Sequence, residues 1–276
     1  MTAVVPTSAI KLIATDLDGT LLRPDKTISP RTVDAIGRAH AAGIQVVVAT
    51  GRYPTSLPIL LAPTGIDYAV ASNGAIGLRL STGEILFEDL MPPQTAAEIV
   101  GFLSTTFPEA RFEVVREHGT VHVVEPGYFD LVTDYEHAHF PLNYLRRSRA
   151  EVIAEPLLKM AVRHPWVSEE TMLEALLTSG LTGFHACTSG APFLEIEGPG
   201  VTKASGVAQL CEHLGLLPEN VMAVGDAGND IEMLAWAGIG VAMANAVPAA
   251  LEAADHTTAT NDQDGVAHLI ERLLAA

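Results

Sequence analysis

The stretch KLIATDLDGTLLRPD, residues 11–25, begins as an apolar run and then places two aspartates close together, Asp16 and Asp18. In an extended segment, side chains two residues apart point the same way, and Gly19 allows the chain to turn tightly after them. Burying a carboxylate is costly unless it is paired or bound to a metal ion. The two aspartates therefore predict a site for a cation or for a reaction at the end of a buried strand.

The composition limits the classes of partner. The chain has 276 residues, and 16 Lys plus Arg against 33 Asp plus Glu give a formal charge of -17, which disfavours nucleic acid and anionic membranes. No apolar run approaches the roughly 18 residues of a membrane helix. There is no signal-peptide pattern, and the two cysteines lack the spacing of a disulfide framework or a CxxC motif. We therefore expect a cytoplasmic protein of two domains, and the sequence leaves its oligomeric state open.

Short apolar runs recur along the chain, and the first four are followed by polar residues or glycine. They lie at residues 10–15, 44–50, 67–72, 221–226 and 239–245. This pattern is typical of strands buried on both faces of a parallel sheet. Segments between the runs have helical spacing, such as the one that starts at Ser29 and Pro30 and ends at Gly43. The alternation predicts an α/β fold with a Rossmann-like parallel sheet.

About 130 residues separate the third predicted strand from the next helix of the core, far more than a structureless loop of about 12 to 15 residues. Within them, two strands are predicted around a turn at His118, and Thr95 and Glu98 have the spacing of a capping box at the start of a helix. Further strands and a helix follow. The prediction is an inserted α/β domain at 83–190 and a core domain formed by 1–82 and 191–276.

A second acidic cluster follows the fourth apolar run, in the sequence GDAGND at residues 225–230. Ligands of parallel sheets bind beyond the carboxyl ends of the strands, where Asp226 and Asp230 would join Asp16 and Asp18. Mg²⁺ prefers oxygen ligands of this kind together with a substrate phosphate. The sequence therefore predicts a magnesium site at this edge of the sheet.

Residues suited to an anion follow strands or begin a helix: Thr50, Gly51, Arg52 and Lys203. A lysine at a helix start opposes the helix dipole, which favours a functional role for Lys203 over a surface one. An ionised nucleophile, a metal, cations and a second carboxyl that moves a proton are what phosphoryl transfer needs. The residues alone thus favour this reaction.

Four motifs carry a resemblance to a known family. In chain order they are DLDGTLL (16–22), ATGR (49–52), VTK (201–203) and GDAGND (225–230). They resemble the motifs of the haloacid dehalogenase (HAD) superfamily of phosphatases. The insert after SNGA (72–75) and the segment NDQDGVAHLI (261–270) are similar to Cof-type sugar phosphatases of subclass IIB. The resemblance implies a HAD core with an inserted α/β cap domain of the C2B type.

The resemblance also implies roles for single residues. Asp16 would be the nucleophile and Asp18 the general acid/base, while Thr50 and Lys203 would bind the transferring phosphoryl group.

Implied metal ligands are the Asp16 and Asp226 carboxylates and the main-chain carbonyl of Asp18, with Asp230 and Asn229 orienting them around Mg²⁺. Asn229 is also expected to contact substrate.

The remaining implied contacts belong to the substrate. Gly51 and Arg52 would approach its phosphate, and Asn73 and Gly74 would line the floor of the crevice. The expected substrate is a small phosphorylated metabolite. Sugar phosphates come first, followed by nucleotide, flavin-type and pyridoxal phosphates.

Two other functions fit part of the pattern. Similar cores occur in phosphomutases, which would release an isomer of the substrate instead of free phosphate. A catalytically silent binding or regulatory protein is the second alternative, but such proteins tend to lose a member of the set Asp16, Asp18, Lys203 and Asp226, which is intact here.

The insert raises two further questions. Four of the ten histidines, His118, His122, His137 and His139, raise the alternative of a zinc site, but no cysteine joins them and scattered histidines are expected instead. Lys159 and Arg163 lie in an apolar strand of the insert. They either reach into the site or have a structural role.

Overall fold

The computed structural model describes residues 9–133 and 144–275. The chain divides into two compact units, the first from Met1–Arg52, Leu57–Phe87 and Thr202–Ala276 and the second from Tyr53–Ser56 and Glu88–Val201. Both boundaries lie later in the chain than the predicted 83–190. The reason is that one further strand extends the first sheet up to Glu88, and a strand at Leu194–Glu197 pairs within the second sheet.

The strands in chain order are β1 (Leu12–Thr15), β2 (Gln45–Ala49), β3 (Tyr68–Ala71), β4 (Ile76–Arg79), β5 (Glu84–Glu88), β6 (Arg111–Arg116), β7 (Val121–Val124), β8 (Tyr144–Arg146), β9 (Lys159–Arg163), β10 (His185–Cys187), β11 (Leu194–Glu197), β12 (Val221–Gly225), β13 (Ile239–Ala242) and β14 (His256–Thr257).

The α-helices are α1 (Pro30–Ala41), α2 (Leu57–Leu61), α3 (Pro93–Thr106), α4 (Arg149–Val152), α5 (Glu169–Leu177), α6 (Lys203–Leu214), α7 (Ile231–Trp236), α8 (Pro248–Ala253) and α9 (Gly265–Leu274). Within residues 9–133 and 144–275, no helix has both the length and the apolar character needed to cross a membrane.

The first unit is built on a sheet with the strand order β14-β13-β12-β1-β2-β3-β4-β5. Neighbouring strands from β14 to β3 are parallel, and β4 runs antiparallel to β3. The predicted parallel core is therefore confirmed, while the antiparallel β4 is an addition. In the register, Thr15 lies between Val224 and Val48, so β1, β12 and β2 end at the same level. The loops that follow these strands meet at one edge.

Buried aliphatic side chains hold this sheet against its helices. Leu12, Val47 and Val221 pack on one face with residues of α6 and α7, and all three side chains are fully buried. Full burial of such a side chain stabilises the fold by roughly 1.5 to 3 kcal/mol. The strands at the centre of the sheet are thus rigid supports for the loops at their ends.

Local signals explain where two of the helices begin. The hydroxyl of Ser29 accepts a hydrogen bond from the Thr32 N–H, and Pro30 takes the first helical position of α1, as predicted. The predicted capping box at Thr95 is wrong, because α3 already begins at Pro93. Proline suits the first turn of a helix, where its missing N–H has no helical partner in any case.

The second unit has a sheet with the order β10-β11-β9-β6-β7-β8, antiparallel except for the parallel pair β7–β8. Successive side chains along each strand point to opposite faces of this sheet. Phe112, Met160 and Ile196 belong to an apolar core with residues of α3 and α5, whereas their neighbours Lys159 and Glu195 lie on the opposite face. This second α/β unit confirms the fold class predicted for the insert.

Candidate active site

A buried lysine joins two of the predicted acidic residues. Lys203 is the first residue of α6, which Thr202 caps by accepting a hydrogen bond from the Ser205 N–H at 3.1 Å. Its Nζ donates to Asp16 Oδ1 at 2.6 Å and to Asp230 Oδ1 at 2.7 Å. The cap fixes the start of the helix, so the ammonium group is held between the loops that follow β1 and β12.

Burial sets the ionisation of this pair. It raises the pKa of Asp16 well above its usual value; the Lys203 charge opposes this effect, and Asp230 and Asp226 add to it. Burial alone would lower the pKa of Lys203, but the Asp16 and Asp230 carboxylates outweigh it and raise that pKa. Lys203 is therefore protonated, and its positive charge favours the ionised form of the neighbouring Asp16 carboxyl.

Asp226 follows β12 and packs against the turn after Asp18. Its Oδ1 accepts a hydrogen bond from Thr20 Oγ1 at 2.7 Å, and burial raises its pKa to about 6. A Cβ on Gly19, whose φ is +86°, would lie 2.2 Å from Asp226 Oδ2, so glycine is required for the approach. Asn245 donates to the Gly19 carbonyl at 2.8 Å. Sequence reasoning missed Thr20 and Asn245, although Thr20 lies inside the first motif.

Asp230 shapes the loop that carries Asp226. Its Oδ2 accepts hydrogen bonds from the N–H groups of Asp226 and Ala227, both at 2.9 Å, while Oδ1 accepts from Lys203. A Cβ on Gly225 would lie 2.5 Å from the Asp230 Cβ. With both oxygens bonded in this way, Asp230 orients the loop and the lysine.

The donor set fits a hard divalent cation. Asp16, Asp226 and Asp230 each offer an oxygen within 4.8 Å of the others. When all three carboxylates are ionised, they leave an excess of two negative charges over the Lys203 ammonium. Close by in the loop, the buried Asn229 Oδ1 has no hydrogen-bond partner within the described part of the chain. Carboxylate and amide oxygens with excess negative charge are what Mg²⁺ binds in proteins.

Asp18 and Arg52 bind each other. Arg52 donates from Nε to Asp18 Oδ2 at 2.5 Å and from Nη2 to Oδ1 at 2.8 Å, and Lys26 donates to Oδ1 at 2.7 Å. Burial opposes ionisation, but the two cations outweigh it and lower the pKa of Asp18 to about 2. The sequence assigned Arg52 to substrate and Asp18 to proton transfer. In this arrangement Asp18 is ionised, so proton donation first requires weaker contact with these cations.

The loops after β2 and β3 are joined by hydrogen bonds. The Thr50 hydroxyl accepts from the Arg52 N–H at 3.1 Å, and the Thr50 carbonyl accepts from the Asn73 N–H at 3.0 Å. Gly51 lies half-buried between Thr50 and Arg52. Asn229 donates to the Asn73 side chain at 3.0 Å, which ties the β3 loop to the acidic loop. These predicted residues therefore come together at the same edge of the sheet.

Gly74 allows α6 to begin close to the end of β3. Its φ is +110°, and a Cβ there would lie 1.9 Å from the Thr202 carbonyl oxygen. Gly206 faces it from α6, where a Cβ would lie 2.7 Å from the Gly74 Cα. This packing places the start of α6, and hence Lys203, and sequence reasoning missed the part of Gly206. The predicted contact of Gly74 with substrate stays a prediction.

Lys159 and Arg163 have partners within the second unit. Lys159 donates to Glu195, and its Nζ lies 4.0 Å from Glu197 Oε1. Arg163 Nε donates to the hydroxyl of Tyr128 at 3.2 Å. Both side chains are buried. These contacts fit the structural role that the sequence left open for the two residues.

The zinc alternative finds no support at those of its four histidines that lie within the described residues. His118 lies 3.0 Å from a glutamate oxygen, and His122 lies 2.6 Å from Glu113. Neither residue belongs to a group of three metal-ligating side chains in the described ranges. His137 and His139 lie outside the described residues.

Comparisons with known proteins identify relatives of this chain. Residues 13–270 match a family described as haloacid dehalogenase-like hydrolases. The HMP-PP phosphatase of Cronobacter sakazakii is 30% identical over 268 residues, which cover 96% of each chain. The pyridoxal phosphate phosphatase YbhA of Escherichia coli K12 is 30% identical over 267 residues, 94% of this chain and 97% of that protein. The solved structure of an HAD subclass IIB sugar phosphatase superposes with a TM-score of 0.81 at 26% identity, covering 96% of this chain and 100% of the other.

The matched region contains the whole cluster around Lys203, and these similarities extend over nearly the full length of each relative. Both relatives and the solved structure are phosphatases by name. The chain belongs to the haloacid dehalogenase-like hydrolases, and within them it is a Cof-type phosphatase of subclass IIB.

Proposed function

We propose that this phosphatase is a Mg²⁺-dependent phosphomonoesterase that acts on a small phosphorylated metabolite through an aspartyl phosphate on Asp16. The observation that carries the proposal is the position of Asp16, which lies at the end of the central strand β1 with Lys203 Nζ at 2.6 Å. Asp226 and Asp230 lie beside it. A buried carboxylate with a lysine and two further carboxylates beside it is suited to act as a nucleophile, whereas packing of the core does not require one.

The chemistry begins at the Asp16 carboxylate. It attacks phosphorus, the bond from phosphorus to the ester oxygen breaks, and the aspartate becomes an acyl phosphate. Lys203 and the Thr50 hydroxyl bind oxygens of the transferring group. A water molecule then attacks the phosphorus, which releases inorganic phosphate and restores Asp16.

Asp16, Asp226 and the Asp18 carbonyl would hold Mg²⁺, with Asp230 and Asn229 orienting them. The ion would neutralise charge on the nucleophile and on the phosphoryl oxygens.

Asp18 is the proposed general acid/base, and Arg52 controls when it acts. A substrate phosphate is an anion that competes with the Asp18 carboxylate for the Arg52 guanidinium. When Arg52 turns toward the phosphate, Asp18 loses a bound cation, and its pKa rises from the value of about 2 that Arg52 and Lys26 maintain. The raised pKa lets Asp18 take up a proton from solvent, which it gives to the leaving oxygen, and Asp18 later takes a proton from the attacking water.

We assign the choice of substrate to the second unit, as a cap that selects the leaving group and excludes water. The relatives are named for HMP-PP, pyridoxal phosphate and sugar phosphates, which share small size and a terminal phosphate. A sugar phosphate is the first candidate. Cys187 and Cys211 form no disulfide bond with each other, and the cytoplasmic location stays a prediction.

The test is phosphate release from a panel of phosphorylated metabolites, with Mg²⁺ and with a chelator, for the parent, Asp16→Asn and the exposed control Asp25→Asn. We expect release that requires Mg²⁺, disappears in Asp16→Asn and persists in the control. Normal release by a folded Asp16→Asn variant would refute the mechanism. An isomeric product would favour a phosphomutase. Absence of any product with metal bound would favour a silent binding protein.

A further inference from the structure

Three metal-ligating side chains of different kinds meet on the sheet of the second unit. His185 and Cys187 lie two residues apart on β10, so they share a face, and Glu197 of β11 is the register partner of His185. One ligand atom from each of the three lies within 4.8 Å of the others. The group includes a cysteine, which the four histidines that the sequence brought to attention lacked.

The donor types indicate which class of metal this group suits. Zn²⁺ binds imidazole nitrogen, thiolate sulfur and carboxylate oxygen at about 2.0 to 2.3 Å, so two ligands of one tetrahedral ion lie roughly 3.3 to 3.8 Å apart. The distance between the His185 and Glu197 ligand atoms, 3.9 Å, is close to that range. Mg²⁺ prefers oxygen ligands, so a thiolate and an imidazole select against it. The acidic cluster of the first unit has the opposite preference.

Burial and spacing also fit a bound ion. Glu197 is fully buried and Cys187 is 8% exposed, while the His185 side chain is 24% exposed and leaves a route to solvent. The His185 Nδ1 lies 3.9 Å from Glu197 Oε2. That distance is longer than a direct hydrogen bond of about 2.7 to 3.2 Å, and it suits two ligands of one ion.

We propose that His185, Cys187 and Glu197 form a site for Zn²⁺ or a metal of similar softness, which ties the short edge strand β10 to β11. Binding forms a sulfur–metal bond and releases the Cys187 proton to solvent. A water molecule takes the fourth position at the exposed side of His185. The site is independent of the reaction proposed at Asp16, and its role is to stabilise the second unit.

Metal retention by the whole chain tests the proposal. The purified parent is stripped with a chelator, loaded with Zn²⁺ and desalted, and the zinc per chain is measured by elemental mass spectrometry. Loading with Co²⁺ instead gives a charge-transfer absorption band only when a thiolate binds the ion. The variants are Cys187→Ser and Glu197→Gln, and Cys211→Ser is the matched control, since Cys211 is a buried free cysteine of the first unit.

We expect one zinc per chain and a cobalt–thiolate band in the parent and in Cys211→Ser. Cys187→Ser should lose the band, and its zinc affinity should fall at least tenfold, as should that of Glu197→Gln. Zinc should raise the melting temperature of the parent and not that of Cys187→Ser.

Two results would overturn the proposal. The first is a parent that retains no zinc although it is folded and releases phosphate. The second is zinc that is retained by Cys187→Ser and lost by Asp226→Asn, because the ion would then occupy the acidic cluster of the first unit. Circular dichroism of each variant shows that its fold is intact, so a loss of zinc cannot be assigned to unfolding.

Discussion

Lys203 and Lys159 make a natural comparison, because each is a buried lysine between two carboxylates. Both side chains are 1% exposed. Lys203 contacts Asp16 and Asp230 at 2.6 and 2.7 Å, whereas Lys159 contacts Glu195 and lies 4.0 Å from Glu197. The immediate chemistry is therefore alike in the two units, and burial of an ion pair does not by itself mark the catalytic site.

The difference lies in the surroundings. Around Lys203 the carboxylates come from loops at the ends of parallel strands, and Asp226 adds a third oxygen ligand. Around Lys159 the partners lie on one face of a sheet, and the neighbouring metal-ligating side chains add nitrogen and sulfur. The comparison teaches that the types of donor atom indicate which ion a buried cluster suits.

Replacing each lysine with methionine tests the comparison most strongly. Both variants leave carboxylates buried without their cation, so each should lower the free energy of unfolding by about 3 to 5 kcal/mol. Only Lys203→Met should also reduce the turnover of the folded protein, by about 10²- to 10³-fold, because it removes charge stabilisation of the transferring group. Urea unfolding and initial rates of phosphate release measure the two effects. An equal loss of turnover in Lys159→Met would place Lys159 in the active site and end the distinction.

Asp230→Asn should give the next largest effect. The amide keeps the shape of the side chain but loses the charge that holds Lys203 and one acceptor of the loop N–H groups. Removing a residue that orients metal ligands typically lowers activity or metal affinity by about 10- to 100-fold. Steady-state rates at several Mg²⁺ concentrations measure it, with the exposed Asp34→Asn as control. Rates within twofold of the parent would show that Asp230 only supports the fold.

The dependence of Mg²⁺ binding on pH gives a smaller, graded effect. Burial raises the pKa of Asp226 to about 6 in the metal-free protein, so protons compete with the ion below that pH. Apparent Mg²⁺ affinity should fall by up to about tenfold for each pH unit below 6. The metal-free protein should also lose stability as the pH rises through 6, because its folded state favours protonated Asp226. Calorimetric titration with Mg²⁺ from pH 5 to 8 checks the first point, and constant affinity would contradict it.

Thr20→Val should have the smallest effect. It removes the hydrogen bond to Asp226 at 2.7 Å while it preserves the size of the side chain. A single hydrogen bond of this kind contributes about 0.5 to 1.5 kcal/mol, so Mg²⁺ affinity should fall only a few-fold. Thr20→Ser retains the hydroxyl and should restore the affinity. Failure of the serine variant to do so would assign the effect to packing of the turn.

The core and most of the acidic site were predictable from the sequence, because their residues form short contiguous motifs. DLDGTLL and GDAGND each place their aspartates directly after an apolar run, and parallel strands bring such ends together. The helix cap at Ser29 was predictable for the same reason, since a cap is set by neighbours in the chain.

Contacts between residues distant in sequence were not predictable in this way. Arg52 was assigned to an anion, and only the folded chain shows that Asp18 takes its guanidinium. The cluster of His185, Cys187 and Glu197 depends on the register of two strands, which no local pattern specifies. The unit boundaries were placed too early, because only the strand pairing shows that β5 belongs to the first sheet and β11 to the second.

The most direct test of the central claim is to trap the phosphoryl group on the protein. The parent is mixed with its best substrate, quenched in acid within milliseconds and digested with trypsin, and fragment masses of the peptide at residues 12–26 are recorded. The account predicts a phosphoryl group on Asp16, absent from Asp16→Asn and from samples treated with a chelator before mixing. Efficient turnover with no phosphoryl group on this peptide, or with the group on Asp18, would contradict it.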